Sequence, residues 1–460
     1  MSAGPDQPGH GDTIVAIATA PGTGAVGLIR LSGVGAITIA APLLRMARGV
    51  ALGDAHPRVL HRASVVDPVA NQIIDEALVA VMPGPRSYTG ENVVEISCHG
   101  NPIVLADVVR MLVEGGARLA EPGEFTRRAF LSGRIDLMEA EAVALLIEAR
   151  SARAAKLAIR EMSGALSAAM HSVRERLLGL VAGIEVALDF PDDEVGVPRR
   201  AASAECRSIV EVLKHLSTGI LRGRSIYTGL TAVIVGAPNV GKSSLLNALL
   251  GRDRAIVSPV PGTTRDLVEG ETVIGGVRVR LVDGAGLGDP KDEIDAEGMR
   301  RTRRAVDDGD VALVVLDRSC PLSTHDKRVL ELTEGRERIV IANKSDMDPL
   351  LVHCPIDSVC SALTGEGLTD VRERLSKWVQ RRLGEDAEEF GIVASLRVVG
   401  LLDQSTHSVE RAIEGLDMGL PLEAVLVDLH AARKELEHGL GLEADEALLD
   451  SIFATFCVGK

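Results

Sequence analysis

Apolar residues change their spacing several times along this chain. Residues 12–118 carry short β-like runs at 13–19, 26–31, 76–82 and 92–97, separated by turn formers such as Pro83-Gly84-Pro85. Runs of that length between Gly and Pro clusters predict a small α+β domain. From Glu124 the spacing lengthens. Ile135, Met138, Ala142, Leu145, Leu146 and Ala149 recur at helical intervals, and 125–190 is rich in Ala, Leu, Glu and Arg. That pattern predicts long helices. Phe190-Pro191-Asp192-Asp193-Glu194 ends them, and helix resumes over about 200–221.

A third texture follows. Uniformly apolar runs at 231–235, 278–282, 311–316 and 339–342 alternate with helical stretches, which predicts a parallel sheet covered on both faces. After Trp378 helical spacing returns, with Val409, Ala412, Ile413 and Leu416 and then 425–436. Helix, α/β unit and helix again is the order expected when one domain is inserted into another. There is no short-period internal repeat.

Composition narrows the function classes. At 460 residues the chain has room for about three domains. It is 46% hydrophobic and 25% charged, ordinary for a globular protein and unlike a disordered or fibrous one. Only six Phe, two Tyr and one Trp are present, too few for a base-stacking platform. Lys and Arg number 50 against 65 Asp and Glu, a net charge of −15. Such a chain repels bulk nucleic acid and reaches RNA only through a local basic surface or a partner. The six cysteines, at 98, 206, 320, 354, 360 and 457, form no CxxC pair. Scattered thiols suit a reducing, cytoplasmic setting. Residues 1–10 have no apolar signal core, and runs such as 311–316 are too short to cross a bilayer, so no membrane attachment is expected.

Chemistry concentrates in the third region. The run 231–235 leads into Gly236-Ala237-Pro238-Asn239-Val240-Gly241-Lys242-Ser243-Ser244 and then a helical stretch. This is GxxxxGK[ST] between strand and helix. Glycines let backbone N–H groups turn around a phosphate, Lys242 supplies a charge, Ser243 offers a hydroxyl to Mg²⁺, and the helix N-terminus adds its dipole. Asp283-Gly284-Ala285-Gly286 follows the next long strand. An Asp there can hold the magnesium shell and a Gly amide can reach the terminal phosphate. Asn343-Lys344-Ser345-Asp346 closes a further strand. Its carboxylate can accept from N1–H and the exocyclic amine of guanine. Ser361-Ala362-Leu363 can offer amides to the guanine oxygen. Four such motifs in order identify a guanine-nucleotide P-loop domain. Between the first two lies Ser258-Pro259-Val260-Pro261-Gly262-Thr263-Thr264, where Thr264 can give Mg²⁺ a second hydroxyl. The Gln that orients water in Ras-like enzymes is missing, since Leu287 stands there.

These residues and both flanks resemble the MnmE (TrmE) family of tRNA-modification GTPases, over nearly the whole chain. The likeness includes Gly27-Leu28-Ile29-Arg30-Leu31-Ser32-Gly33, Pro83 through Glu91, Pro122-Gly123-Glu124-Phe125-Thr126, Arg134-Ile135-Asp136-Leu137 and the closing Phe456-Cys457-Val458-Gly459-Lys460. The resemblance implies a multidomain α+β, all-α and α/β architecture. An N-terminal folate-binding α+β domain (1–120) would dimerise. A helical domain (121–222 and 381–460) would be split by an inserted Ras-like P-loop GTPase domain (223–380). It implies a homodimer whose GTPase domains meet during K⁺-activated hydrolysis, with Asn239, Ser258, Val260 and Thr263 around the K⁺. It implies 5-formyltetrahydrofolate or a related one-carbon folate bound near Arg30, Glu95, Arg134 and Lys460. A FAD- and NADH-using partner, MnmG (GidA), would complete a heterotetramer. Together they would install an aminomethyl-type (carboxymethylaminomethyl) group on C5 of the tRNA wobble uridine.

Two positions depart from the family pattern. Gly284 replaces the usual Thr, and Asp295 stands for the catalytic Glu, one methylene shorter, with Glu293 and Glu297 close by. Weak turnover is therefore one expectation, and a GTP-binding scaffold or a ribosome-assembly GTPase switch are the alternatives. Gly22-Thr23-Gly24-Ala25-Val26-Gly27 spells a dinucleotide fingerprint, but the following 28–31 reads as strand and position 47 is Ala, not acidic. His99 reads as a turn or interface residue, Arg300 to Arg304 as a solvated basic helix face, and Cys457 equally as packed thiol or nucleophile.

Overall fold

A computed structural model describes residues 11–190, 198–251, 269–284, 293–351, 354–384 and 391–460. The chain divides into two compact units. The first takes 1–144, 167–197 and 422–460, the second 145–166 and 198–421.

The first unit is built on seven strands: β1 (Ile14–Ile17), β2 (Val26–Ser32), β3 (Leu44–Met46), β4 (His61–Val66), β5 (Ile73–Met82), β6 (Val93–His99) and β7 (Arg118–Leu119). Their order is β3-β4-β5-β6-β2-β1-β7, antiparallel throughout except for the β1–β7 pair. One face carries Ile29, Leu31, Val79, Val94 and Ile96, packed against Leu105, Val108, Met111 and Leu112 of the helix Pro102–Glu114. That helix starts where it does because Asn101 caps it, accepting from the Ile103 amide at 2.9 Å, with Pro102 at its first position. The opposite face of β2 turns Arg30 outward, since strand residues alternate. The GxGxxG stretch enters β2, not a helix.

The C-terminus returns to this unit. Val458 bridges Pro122, and Phe453 and Phe456 pack their rings 5.2 Å apart beside Leu137, Ala140 and Leu449. Gly459 has φ 92°, and a Cβ there would stand 2.5 Å from the Ile17 carbonyl oxygen. Only glycine brings the tail that close. The helix Leu422–Leu440 is held to Ala165–Asp189 through the buried Glu437, which accepts from Arg174 Nε at 2.8 Å.

The second unit holds a six-stranded sheet: β8 (Leu230–Gly236), β9 (Glu269–Ile274), β10 (Val277–Asp283), β11 (Val311–Asp317), β12 (Arg338–Asn343) and β13 (Ser358–Val359), ordered β13-β12-β11-β8-β10-β9. Successive residues feed opposite faces. Ile234, Leu281, Leu313 and Ile341 join one cluster, while Val233, Val235, Val282, Val314 and Val340 join the other. Burial on both sides explains the uniformly apolar runs. The parallel sheet expected from them is present in β10, β8, β11 and β12; an edge strand outside those runs, β9, pairs antiparallel with β10. The cause is Gly275-Gly276, with φ 59° and 77°, a two-residue turn of the kind that closes a hairpin.

A correction concerns the helix expected to stop near 221. It runs from Arg199 to Thr228, because Gly223 and Ile226 are buried and the first true stop is Gly229 at φ 83°. It packs along Leu396–Asp417 and leads straight into β8. Among the described residues no helix is long and apolar enough to cross a membrane.

Candidate functional site

The phosphate motif folds as its residues dictate. β8 ends at Gly236, and the helix Lys242–Leu250 begins after Gly241, which has φ 95°. A Cβ on Gly241 would lie 2.3 Å from Asn343 Nδ2. Asn239, exposed, also takes a left-handed conformation, with φ 63°. Lys242 Nζ donates to the carbonyl oxygens of Gly236 (3.3 Å) and Ala237 (2.9 Å). The ammonium therefore lies inside the turn, where a phosphate would replace those carbonyls. Burial pushes its pKa below the ordinary lysine range, and the Asp283 carboxylate partly opposes that shift.

Ser243 and Asp283 meet, with Oγ donating to Oδ2 at 2.6 Å, and the buried Asp283 Oδ1 has no hydrogen-bond partner among the described residues. A hydroxyl beside a carboxylate with an unused oxygen is a donor set that suits a hard divalent cation. Gly284 sits tightly. Its amide donates to the Ile234 carbonyl at 2.9 Å, and an added Cβ would stand 2.8 Å from Thr302 Cγ2. The glycine at this position is thus matched by close packing against Thr302.

The base-side motifs converge through Asn343. Its Nδ2 donates to the Val240 carbonyl (2.8 Å), and its Oδ1 accepts from the Ala362 amide (2.9 Å). One buried side chain thereby joins the phosphate loop to the Ser361-Ala362-Leu363 turn. The Ser361 amide is engaged by the Glu366 carbonyl. Leu363, 87% exposed, stands in the turn. Lys344, with φ 66°, donates to Asp317 Oδ2 at 2.5 Å, while Asp346 is exposed beside it. Ser345 Oγ donates to Glu366 at 3.1 Å. Asp317 was not singled out from sequence. Its signal was its place as the last residue of an apolar strand, level with the base motif. Ser258, Pro259, Val260, Pro261, Gly262, Thr263, Thr264, Ala285, Gly286 and the side chain of Asp295 lie outside the described residues.

A second polar cluster occupies the first unit. Arg30 and Glu95 are directly opposed across β2 and β6, with Arg30 Nε and Nη2 at 2.9 and 2.8 Å from Glu95 Oε1. Arg30 Nη1 also donates to the Gly459 carbonyl at 3.3 Å. Its guanidinium lies 5.7 Å from the ring centres of both Tyr88 and Phe125. Arg134 is exposed, its Cγ 3.5 Å from where a Cβ on Gly90 would stand. The Lys460 carbonyl accepts from the Phe125 amide at 3.2 Å. A partly exposed carboxylate, flanking cations and the partly exposed Tyr88 ring offer contacts to a polar heterocycle, while the Phe125 ring is fully buried behind Arg30. Tyr88 and Phe125 belong to the quoted motifs, but nothing in their spacing announced that they would flank Arg30.

Residues 13–134 match the family model described as GTP-binding protein TrmE N-terminus, and residues 137–457 match the MnmE helical domain. A curated relative from Koribacter versatilis, tRNA modification GTPase MnmE, is 41% identical over 455 residues, covering 98% of this chain and 99% of its own. The chain belongs to the MnmE family of tRNA modification GTPases. Similar relatives of the same name occur in Moorella thermoacetica, 40% identical over 461 residues, and in Syntrophobacter fumaroxidans, 42% over 471, each covering 98% of this chain and 99% of its own. The architecture expected from sequence, an N-terminal α+β domain, a helical domain and a Ras-like P-loop domain, is the MnmE one. Membership also makes the chain a GTP-hydrolysing enzyme.

Proposed function

We propose that this chain is the GTPase component of tRNA wobble-uridine modification. With a FAD- and NADH-using partner of the MnmG (GidA) kind it helps install a carboxymethylaminomethyl-type group at C5. The observation that carries the nucleotide half of this reading is Lys242 Nζ turned onto the Gly236 and Ala237 carbonyls, with Ser243 Oγ 2.6 Å from Asp283.

In this reading the 239–244 loop wraps the phosphates and Lys242 moves from its carbonyls to the β- and γ-phosphate oxygens. Ser243, Thr264 and Asp283 hold the Mg²⁺ shell, and Asp346 reads guanine while Asn343 keeps loop and turn in register. Bound Mg²⁺, and K⁺ near Asn239, Ser258, Val260 and Thr263, supply positive charge against the developing negative charge. Asp295 positions the attacking water. Arg30, Glu95, Arg134 and Lys460 hold a one-carbon folate. The domains divide at about 120, 222 and 380, the chain works as a cytoplasmic homodimer, and hydrolysis drives rearrangement, not group transfer.

Mass spectrometry of wobble nucleosides in tRNA from a strain lacking this chain tests the proposal. The modified C5 is expected to disappear and to return with the wild-type gene. Normal modification without the chain would overturn the reading.

A further inference from the structure

A groove of about 620 Å³ opens in the second unit beside the start of β12 and the last turns of the helix Leu368–Leu383. Among the described residues its lining includes Arg338, Arg374, Lys377, Gln380 and Arg381 against one carboxylate, Asp357. That carboxylate is already engaged, since Asp357 Oδ2 accepts from the Val340 amide at 2.8 Å. Arg374 pairs with Asp370 at 3.1 Å, and Arg338 donates to the Leu330 carbonyl at 2.8 Å. Lys377 and Arg381, both exposed, have no ion-pair partner among the described residues.

Two ordinary explanations fall short. Cations in a helix's last turn complement its dipole, which accounts for Arg381 and Arg382. It does not account for Arg374, two turns earlier, or for Arg338, which comes from a strand. Random surface charge is also a poor account in a chain of net charge −15. Converging cations are mutually repulsive, and a concave wall strengthens their field.

The groove lies at the opposite end of the sheet from the nucleotide. β12 is parallel to β11 and β11 to β8, with Arg338 level with Ala312 and Ala312 level with Val233. The phosphate loop leaves the other end of β8, after Gly236. An anion in the groove would therefore leave the nucleotide site open.

We propose that this groove binds the phosphodiester backbone of tRNA, an inference that rests on the tRNA reading above. A chain this acidic must meet tRNA through local basic surfaces. With one buried Trp and few other aromatics it has phosphate contacts, not stacking, to offer here. Contacts of this kind position a tRNA without reading its sequence. The acidic run Glu385-Asp386 and Glu388-Glu389 follows in sequence, outside the described residues, so the test uses the full chain.

Binding of purified tRNA by the full-length protein is measured by fluorescence anisotropy across a salt series, for wild type and for Lys377→Gln/Arg381→Gln. Both positions are exposed, and unchanged thermal midpoint and tRNA-free GTP hydrolysis serve as controls. The double variant is expected to bind about tenfold more weakly, and the slope of log affinity against log salt should fall by about two. Lys377→Arg/Arg381→Lys should restore both. Equal affinity and slope in wild type and double variant would remove the groove while leaving the tRNA reading intact. Loss of the flavoprotein partner with tRNA affinity unchanged would equally overturn it and point to a protein surface. A wild-type chain that binds no tRNA would defeat this proposal and the reading beneath it together.

Discussion

The two units reach their polar sites by different routes. In the second, the phosphate cradle is one continuous strand, loop and helix from Leu230 to Leu250, and among the described residues Asp283 and Asn343 join its loop from elsewhere. In the first, Arg30 meets Glu95 across 65 residues and Gly459 across 429. A contiguous site survives changes in its surroundings as long as its own backbone can turn. A convergent site depends on register and on the packing of a distant tail. The ionisable interiors differ too. The first unit buries Arg128, only 4% exposed at its side chain, among Asp12 (2.6 Å), Glu124 (3.0 Å) and Glu91 (3.1 Å). The second buries the carboxylate of Glu161, whose Oε1 has no hydrogen-bond partner among the described residues.

Arg128→Ala should produce the largest effect and sharpen that contrast. It removes the buried cation shared by three carboxylates, of which Asp12 and Glu124 keep only Arg118, and breaking a buried ion network costs about 3–5 kcal/mol. Burial acts to raise the pKa of Asp12 and Glu124, but Arg118 and Arg128 more than offset it and hold both low. Depressed carboxylates contribute stability that is present above their unfolded pKa and lost as pH falls through the lower folded value. In wild type the network's contribution should therefore be lost only in acid, below the ordinary carboxylate range. The variant should be destabilised already at neutral pH, with a flatter acid limb. Thermal midpoints recorded at neutral and acidic pH check this, and an unchanged neutral midpoint would show that the network is dispensable.

Glu161 predicts the opposite sign. Burial raises its pKa to about 7 from an ordinary 4.5, against the weaker pull of the Leu166 amide and Arg160. A raised folded pKa favours the protonated state, so stability falls as pH rises from about 4.5 to about 7 and stays low above. A displacement of that size is worth on the order of 3 kcal/mol. Glu161→Gln should raise the unfolding midpoint at pH 8 and change little at pH 4.5. A variant that tracks wild type at both pH values would mean the carboxylate is not held neutral.

The smallest of the three effects concerns nucleotide alone. Lys242→Ala should weaken GTP and GDP about 100-fold in calorimetric titration, as expected when a charged, partly desolvated contact to phosphate is removed. Arg30→Ala should leave that affinity unaltered. If Arg30→Ala weakened GTP as much, the two sites would not be separable in the way their construction suggests.

The sequence alone determined the nucleotide cradle, because its parts are local. A left-handed Gly241, a helix start at Lys242 and an apolar strand before them need only short-range dihedral preferences and hydrogen bonds. It likewise carried the family's texture of α+β, helical and α/β regions through hydrophobic period. It did not carry the β9–β10 hairpin, since a polar edge strand such as Glu269–Ile274 lacks the apolar signature of its neighbours. Strand register alone set Arg30 opposite Glu95, tail packing brought the Gly459 carbonyl to it, and a strand and a helix together made the basic groove. Those arrangements depend on contacts between distant segments, whose distances no local pattern encodes.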